Sequence, residues 1–185
     1  MSRPSRWWPV TEASERLGEE PGQDLLRWIV EEVSRPKPEL GRPGPLCPFV
    51  PPSLRARLLF ATVVDDAAAM AAAILREADA FLATAPARDA RHGSLKSLLL
   101  LLPHAGADHG LDAVVDEVKP RLLRRGLTCG QFYPGSEDRS ARSDDVHVAR
   151  SPIPLVALRY LSAHDELFLG EHPEYRPLFE AWRAG

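Results

Sequence analysis

RLLFATVV, residues 57–64, leads through Asp65-Asp66 and an alanine-rich stretch to KSLLLLL, residues 96–102. Both runs are apolar without alternation, the pattern of a strand covered on both faces. Between them, Asp65 and Asp66 are good helix caps. Met70, Ile74, Ala78 and Phe81 then recur on one stripe, which predicts a helix to about Ala83. Pro103 stops the second strand. A strand, a helix and a strand in succession predict a sheet layered with helices.

Working outward, residues 111–125 predict a second amphipathic helix, with Leu111, Val114, Val115, Val118 and Leu122 inward and Pro120 expected to kink or divide it. Arg124, Arg125 and Gly126 favour its end. LTCGQFY, residues 127–133, reads as a third strand closed by Pro134-Gly135. Residues 136–151 are expected to be a solvated, mobile charged loop, or secondarily a lid over a pocket. IPLVALRYL, residues 153–161, reads as a fourth strand, 162–169 as a short helical turn and 173–183 as a closing helix with Tyr175, Leu178, Phe179 and Trp182 on one face.

Toward the N-terminus, residues 23–34 form a helical pattern through Leu25, Trp28, Ile29 and Val33, and residues 1–20 read as an irregular arm. The segment 35–52 carries seven of the 18 prolines and excludes a regular helix or central strand. Its apolar centre, Leu46, Cys47, Phe49 and Val50, must pack on the core or on a ligand. The expected fold is therefore α/β, with α+β as the alternative. It is one domain over residues 1–185, built on a single-layer mixed sheet of about four strands flanked by helices.

A net charge of −3 gives no electrostatic case for nucleic acid. Two cysteines make no disulfide framework, and the apolar runs are too short to span a bilayer. A cytoplasmic protein is expected. There is no Gly-rich phosphate loop, no serine nucleophile elbow, no CxxC and no HExxH.

Three constellations remain. Pro45-Leu46-Cys47-Pro48-Phe49 would present a thiolate to haem iron from a proline-stiffened bend, or else plug a packed loop. His104, after Leu101-Leu102-Pro103, sits where open α/β sheets gather ligands, with Asp108 and His109 close by. It would bind metal or move protons, or be an ordinary loop residue. Arg159, inside an apolar strand that follows Arg150-Ser151-Pro152-Ile153-Pro154, needs a carboxylate: one from a ligand, or an internal partner such as Asp165 or Glu166.

GPLCPF, KSLLLLLPH, FYPG and RSPIPLVALR, with the closing aromatic helix, resemble an uncharacterised bacterial domain family associated with specialised-metabolite gene sets. The CPF, FYPG and SPxPLxxxR motifs are its most specific parts, and the resemblance runs from about Gly41 to Trp182. A more distant likeness is to the YcgG-like haem-dependent N-oxygenases, which oxidise amine nitrogens of amino-acid-like substrates. It implies Cys47 and Phe49 as pocket residues.

The functional expectation is haem-dependent oxidation of a small amine or amino-acid-derived metabolite. Cys47 or His104 would be the competing axial ligands, and Arg159 would anchor a propionate or substrate carboxylate. One alternative is a non-catalytic small-molecule-binding or accessory partner of a biosynthetic enzyme, with Trp7-Trp8 and the proline segment as docking surface. Another is a cofactor-free isomerase or cyclase with His104 or Asp108 as base. A homodimer or a biosynthetic partner protein is compatible with either; a membrane or nucleic-acid partner is not expected.

Overall fold

The computed structural model describes residues 7–41, 43–105, 110–140, 143–170 and 172–184. The two runs that decide the fold become β2 (Leu59–Val63) and β3 (Ser97–Leu101), paired in parallel with Leu59 opposite Ser97 and Val63 opposite Leu101. The Asp66 carboxylate accepts from the Ala68 amide at 2.9 Å. This caps a 3-10 turn, Ala67–Ala69, which runs into a helix at Met70–Ala83.

Seven helices and seven strands are present among the described residues. In chain order the helices are α1 (Ala13–Leu17), α2 (Glu19–Arg27, continued by a π-type coil at Trp28–Val33), α3 (Val50–Arg55), α4 (Met70–Ala83), α5 (Leu111–Leu123), α6 (Glu166–Leu169) and α7 (Arg176–Ala184). The other strands are β1 (Trp8–Pro9), β4 (Leu127–Phe132), β5 (Arg139–Ser140), β6 (Ser143–His147) and β7 (Leu155–Tyr160). The main sheet has the order β1-β2-β3-β7-β4. β7 is antiparallel to both β3 and β4, and β1 to β2, so β2, β3 and β4 all point the same way. The fold is mixed α/β, as its sequence implies.

Alternation along β3 sorts the core. Leu98, Leu100 and Leu102 face α4 and α5, with Ile74, Phe81, Val115, Val118, Val156 and Leu158. Leu99 and Leu101 face the other way, toward Trp8, Leu25, Ile29 and Leu155. A strand with helices on both sides has no solvent face, which is why it reads as unbroken leucine.

Four expectations need correction. The arm supplies β1 and α1, and β1 is a fifth strand of the main sheet. Adjacent side chains of a strand point to opposite faces, so Trp7 packs on Phe60 and Phe81 while Trp8 enters the opposite core. Trp8 is therefore core and not docking surface. The segment 136–151 holds the β5–β6 hairpin, which touches the 3-10 turn Pro38–Leu40. The proline segment ends in a helix, because Pro51 and Pro52 lie in the first turn of α3, where no amide donor is needed. Pro120 does not divide α5, which runs on to Leu123.

Gly22 permits the contact of α1 with α2: a Cβ there would lie 2.4 Å from Ser14 Cα. Lys96 is wholly buried and closes the far end of α4. Its ammonium donates to the Phe81 carbonyl at 2.7 Å and to that of Thr84, and it lies 4.5 Å from the Phe81 ring centroid. Burial pushes its pKa below the ordinary 10.5. Lys96→Met is expected to lose about 2–3 kcal/mol, since two helix-end carbonyls lose their donor. Between the lowered folded value and 10.5 the unfolded chain binds more protons, so Lys96 makes stability rise with pH in that window. Denaturant melts of both proteins across this alkaline range should show that rise in the parent and its loss in the variant.

Candidate functional site

The face of β4 and β7 turned away from α4 and α5 is unevenly buried. On β7 and β4, the side chains of Val156, Leu158, Tyr160, Leu127 and Cys129 are buried. On the opposite face the register aligns Arg159 with Thr128, Ala157 with Gly130 and Leu155 with Phe132. There Gly130, Phe132, Ala157 and Arg159 are only half-buried. A Cβ on Gly130 would make ordinary contact with the Phe132 ring, at 3.9 Å, and meet nothing else within 4 Å. Gly130 and Ala157 thus lie side by side as small residues in a half-buried stretch, with Ala157 and Phe132 packed on the core that holds Leu25 and Ile29.

Aromatic groups flank this stretch at both ends. Trp28 meets Phe132 edge-on, with centroids 5.7 Å apart. At the other end the Arg159 guanidinium lies 5.1 Å from the Phe49 centroid, and His164 meets the same ring edge-on at 5.9 Å. The proline segment runs from the Trp28 side to the Phe49 side and carries Cys47, which is half-buried. The Cys47 amide donates to the Val33 carbonyl at 3.2 Å, fixing the bend to the end of α2. Ser53, almost fully buried, donates to the Phe49 carbonyl at 2.7 Å and to that of Leu95 at 2.7 Å, fixing α3 to the approach of β3.

Arg159 is held from within the chain. Its fork meets both Asp165 oxygens, Nη1 to Oδ2 at 2.9 Å and Nη2 to Oδ1 at 2.5 Å, and Nη1 also donates to the Tyr160 carbonyl. Asp165 is 3% exposed and also accepts from the Ser162 amide and hydroxyl. The internal ion pair is therefore the partner of Arg159. Its guanidinium presents a flat cationic edge to Phe49, and its fork is occupied.

His104 lies elsewhere. Arg159 pairs with Ser97 at the start of β3, whereas His104 follows its end. The strand alone separates them by about 13 Å, at roughly 3.3 Å per residue. His104 is exposed. Asp108, and His109 beside it, fall outside the described residues. At that same edge Asp112 ties down the end of β4, accepting from Gln131 at 2.8 Å and from the Tyr133 hydroxyl at 2.9 Å. The bond to Asp112, then burial, raises the Tyr133 pKa. Phe49 thus comes together with Arg159, Cys47 lies two residues before it on a bend held by Val33, and His104 follows the other end of β3. Among the described residues no group of three or more His, Cys, Asp or Glu is placed to hold a metal ion.

Trp28, Phe132, Gly130 and His164 were not legible as site residues. Trp28 reads as one more apolar position of an amphipathic helix, and Gly130 carries no motif. Two buried polar atoms have no hydrogen-bond partner among the described residues: Ser34 Oγ, beside the carbonyl that holds Cys47, and His147 Nδ1, at the end of the hairpin. Such atoms are rare in native interiors and call for a bound partner or water.

The fold defines a three-layer α/β/α domain whose β4–β7 face carries a half-buried stretch flanked by Trp28, Phe132 and Phe49. The chain belongs to the family described as Domain of unknown function (DUF6875), which matches residues 22–183. No curated protein and no solved structure matches it. Among the described residues no helix is long and apolar enough to cross a membrane.

The two thiols differ in kind. Burial pushes the Cys129 thiol up to about 12, so it has almost no thiolate near neutrality. Ellman's reagent at pH 8 should titrate one thiol in the folded chain and two in denaturant, with the folded signal lost in Cys47→Ala. Arg159→Gln should cost about 3 kcal/mol in chemical denaturation, because it leaves the buried Asp165 without its countercharge.

Proposed function

We propose that this domain binds a small, partly aromatic organic molecule at the half-buried stretch of the β4–β7 face, with Cys47 beside it. The small, half-buried pair Gly130 and Ala157, lying between the Trp28–Phe132 contact and the Arg159–Phe49 contact, carries this reading. Small-molecule sites are concave, largely apolar and served by a few polar groups. The ligand rests its flat part on this pair, against Trp28 and Phe132 at one end and Phe49 at the other. The class of ligand is an aromatic amine or amino-acid derivative, in keeping with the resemblance to specialised-metabolism families. Binding alone, in support of a biosynthetic enzyme, satisfies everything in this geometry.

Gly130→Val tests it. Valine suits a strand, and its methyl groups add bulk between the two aromatic contacts. Aromatic amines and aromatic amino-acid derivatives titrated against Trp fluorescence should give a saturable change in the parent that Trp28→Phe removes. Gly130→Val should weaken binding by at least about tenfold, the scale of a lost 1.4 kcal/mol of contact, with an unchanged or higher Tm. Equal binding by Gly130→Val and parent would overturn this stretch as the site.

A second, narrower reading is haem-dependent oxidation of such an amine. What favours it is the half-exposed Cys47 on a bend fixed by proline and by the Val33 carbonyl, since thiolate is a haem ligand. Arg159 is already taken by Asp165 and does not serve a propionate, and His104 lies at the other sheet edge. The described residues therefore fit an axial ligand without the rest of a haem pocket, and no step is routed through one. Haemin added to the chain should give a Soret band that Cys47→Ala abolishes and His104→Ala leaves intact. Absence of any band ends the haem reading and leaves the binding reading standing.

A further inference from the structure

A hollow lies away from that stretch, below the starting ends of β2 and β3. It has a volume of about 490 Å³ and is lined by Pro52, Arg55, Ala56, Leu58, Pro86, Arg91, His92 and Leu95. No carboxylate lines it. The chain carries a net charge of −3, yet the two segments that build this groove, 50–58 and 85–92, hold four arginines and one acid. Of these, Arg88 is engaged, lying 4.8 Å from the Trp182 ring centroid and donating to the Leu161 carbonyl. Arg55, Arg57 and Arg91 have no ion-pair partner among the described residues. Elsewhere Arg16, Arg27 and Arg176 meet acids three or four residues away, whereas the exposed Arg121 and Arg124 at the end of α5 have no ion pair among the described residues either.

The groove is also where the backbone is forced. Among the described residues two that are not glycine adopt left-handed conformation: Arg57, with φ 57°, and His92, with φ 62°. His92 lines the groove, and Arg57 lies between its lining residues Ala56 and Leu58. A side chain makes this region unfavourable, and such residues persist where the surroundings over-determine them, often at ligand sites. Here the surroundings do so. The Gly93 amide donates to the Ala90 carbonyl at 2.8 Å, and a Cβ at Gly93 would lie 1.7 Å from the Ala87 carbonyl oxygen. The turn before β3 cannot relax. The buried bond from Ser53 Oγ to the Leu95 carbonyl ties its other wall, α3, to that turn. Lys96 covers the last carbonyls of α4 from inside the protein, so these partial negative charges are neutralised beneath the groove.

We propose that this groove binds the phosphate of a small phosphate monoester, with Arg55 and Arg91 as the anion contacts and Pro52, Leu58, Pro86 and Leu95 as an apolar shelf for the alcohol part. The guanidinium fork matches phosphate oxygens and binds them more strongly than it binds a neutral acceptor. The volume suits a small metabolite. The site is independent of the stretch on the β4–β7 face, and either can fail without the other.

The experiment is a calorimetric titration of phenyl phosphate into the full chain, with inorganic phosphate and benzoate as comparisons. Phenyl phosphate should bind saturably and weaken as salt rises. Arg55→Gln/Arg91→Gln should weaken it by at least about tenfold, as loss of two charge-assisted contacts requires, whereas Arg27→Gln should leave it unchanged. Both replaced side chains are exposed, so the melting temperature should hold, which separates loss of the site from loss of the fold. Absence of saturable binding, or equal binding by the double variant, overturns the proposal. Benzoate binding as tightly as phenyl phosphate overturns the phosphate assignment. Inorganic phosphate binding as tightly overturns the apolar shelf.

Discussion

β7 is the strand on which the architecture rests. It enters antiparallel between β3 and β4, hydrogen-bonding five residues of β3 on one side and six of β4 on the other. Without it the parallel pair β2–β3 and the later strand β4 would be two separate edges, and the helices α4 and α5 would have no common floor. Because β7 is the last strand in sequence, the chain must be nearly complete before the sheet closes, a contact pattern of long sequence separation. The same insertion fixes the register that brings Arg159 level with Ser97 and Thr128, and so determines which end of the sheet can hold the Phe49 loop.

The ion pair at that end joins three parts of the chain. Arg159 belongs to β7, Asp165 to the turn leading into α6 and Phe49 to the start of α3. Asp165 has two duties: it completes the cap of its own turn through Ser162, and it neutralises the arginine. A buried pair of this kind adds little net stability against an apolar alternative, but losing one member is costly. Its effect is geometric, holding the guanidinium 5.1 Å from the Phe49 ring centroid and so fixing one end of the half-buried stretch.

The layers of this fold are readable in its sequence because apolar runs and caps act locally. RLLFATVV and KSLLLLL announce strands covered on both faces, and Asp66 starts its helix where an acid before an alanine run should. What could not be read depends on contacts between distant residues. Trp8-Pro9 is too short for a strand pattern and becomes one only by pairing with Phe60 and Ala61. The hairpin at 139–147 is polar on the page, and its packing reaches a turn about a hundred residues earlier in the chain. Arg159 shows the divide within one residue. A charge inside an apolar strand signals a partner, and Asp165 is among the partners its neighbourhood offers, but the ring that stacks on it lies 110 residues upstream. His104 and Cys47 are alternative ligands on chemistry alone, and the direction of β3 puts His104 beyond the end opposite Arg159.

The two adjacent tryptophans at the start of the chain have a further consequence. One packs into each helical layer, so Trp7 and the first residue of β1 together work as a rivet through the sheet, and Trp7 adds a 2.7 Å bond from its indole to the buried Glu77 carboxylate. The family match begins at residue 22, beyond the rivet. A chain trimmed to the family boundary would uncover the flank of β2 and leave Glu77 without its indole donor, so the stretch shared with the family leaves out contacts that complete this sheet.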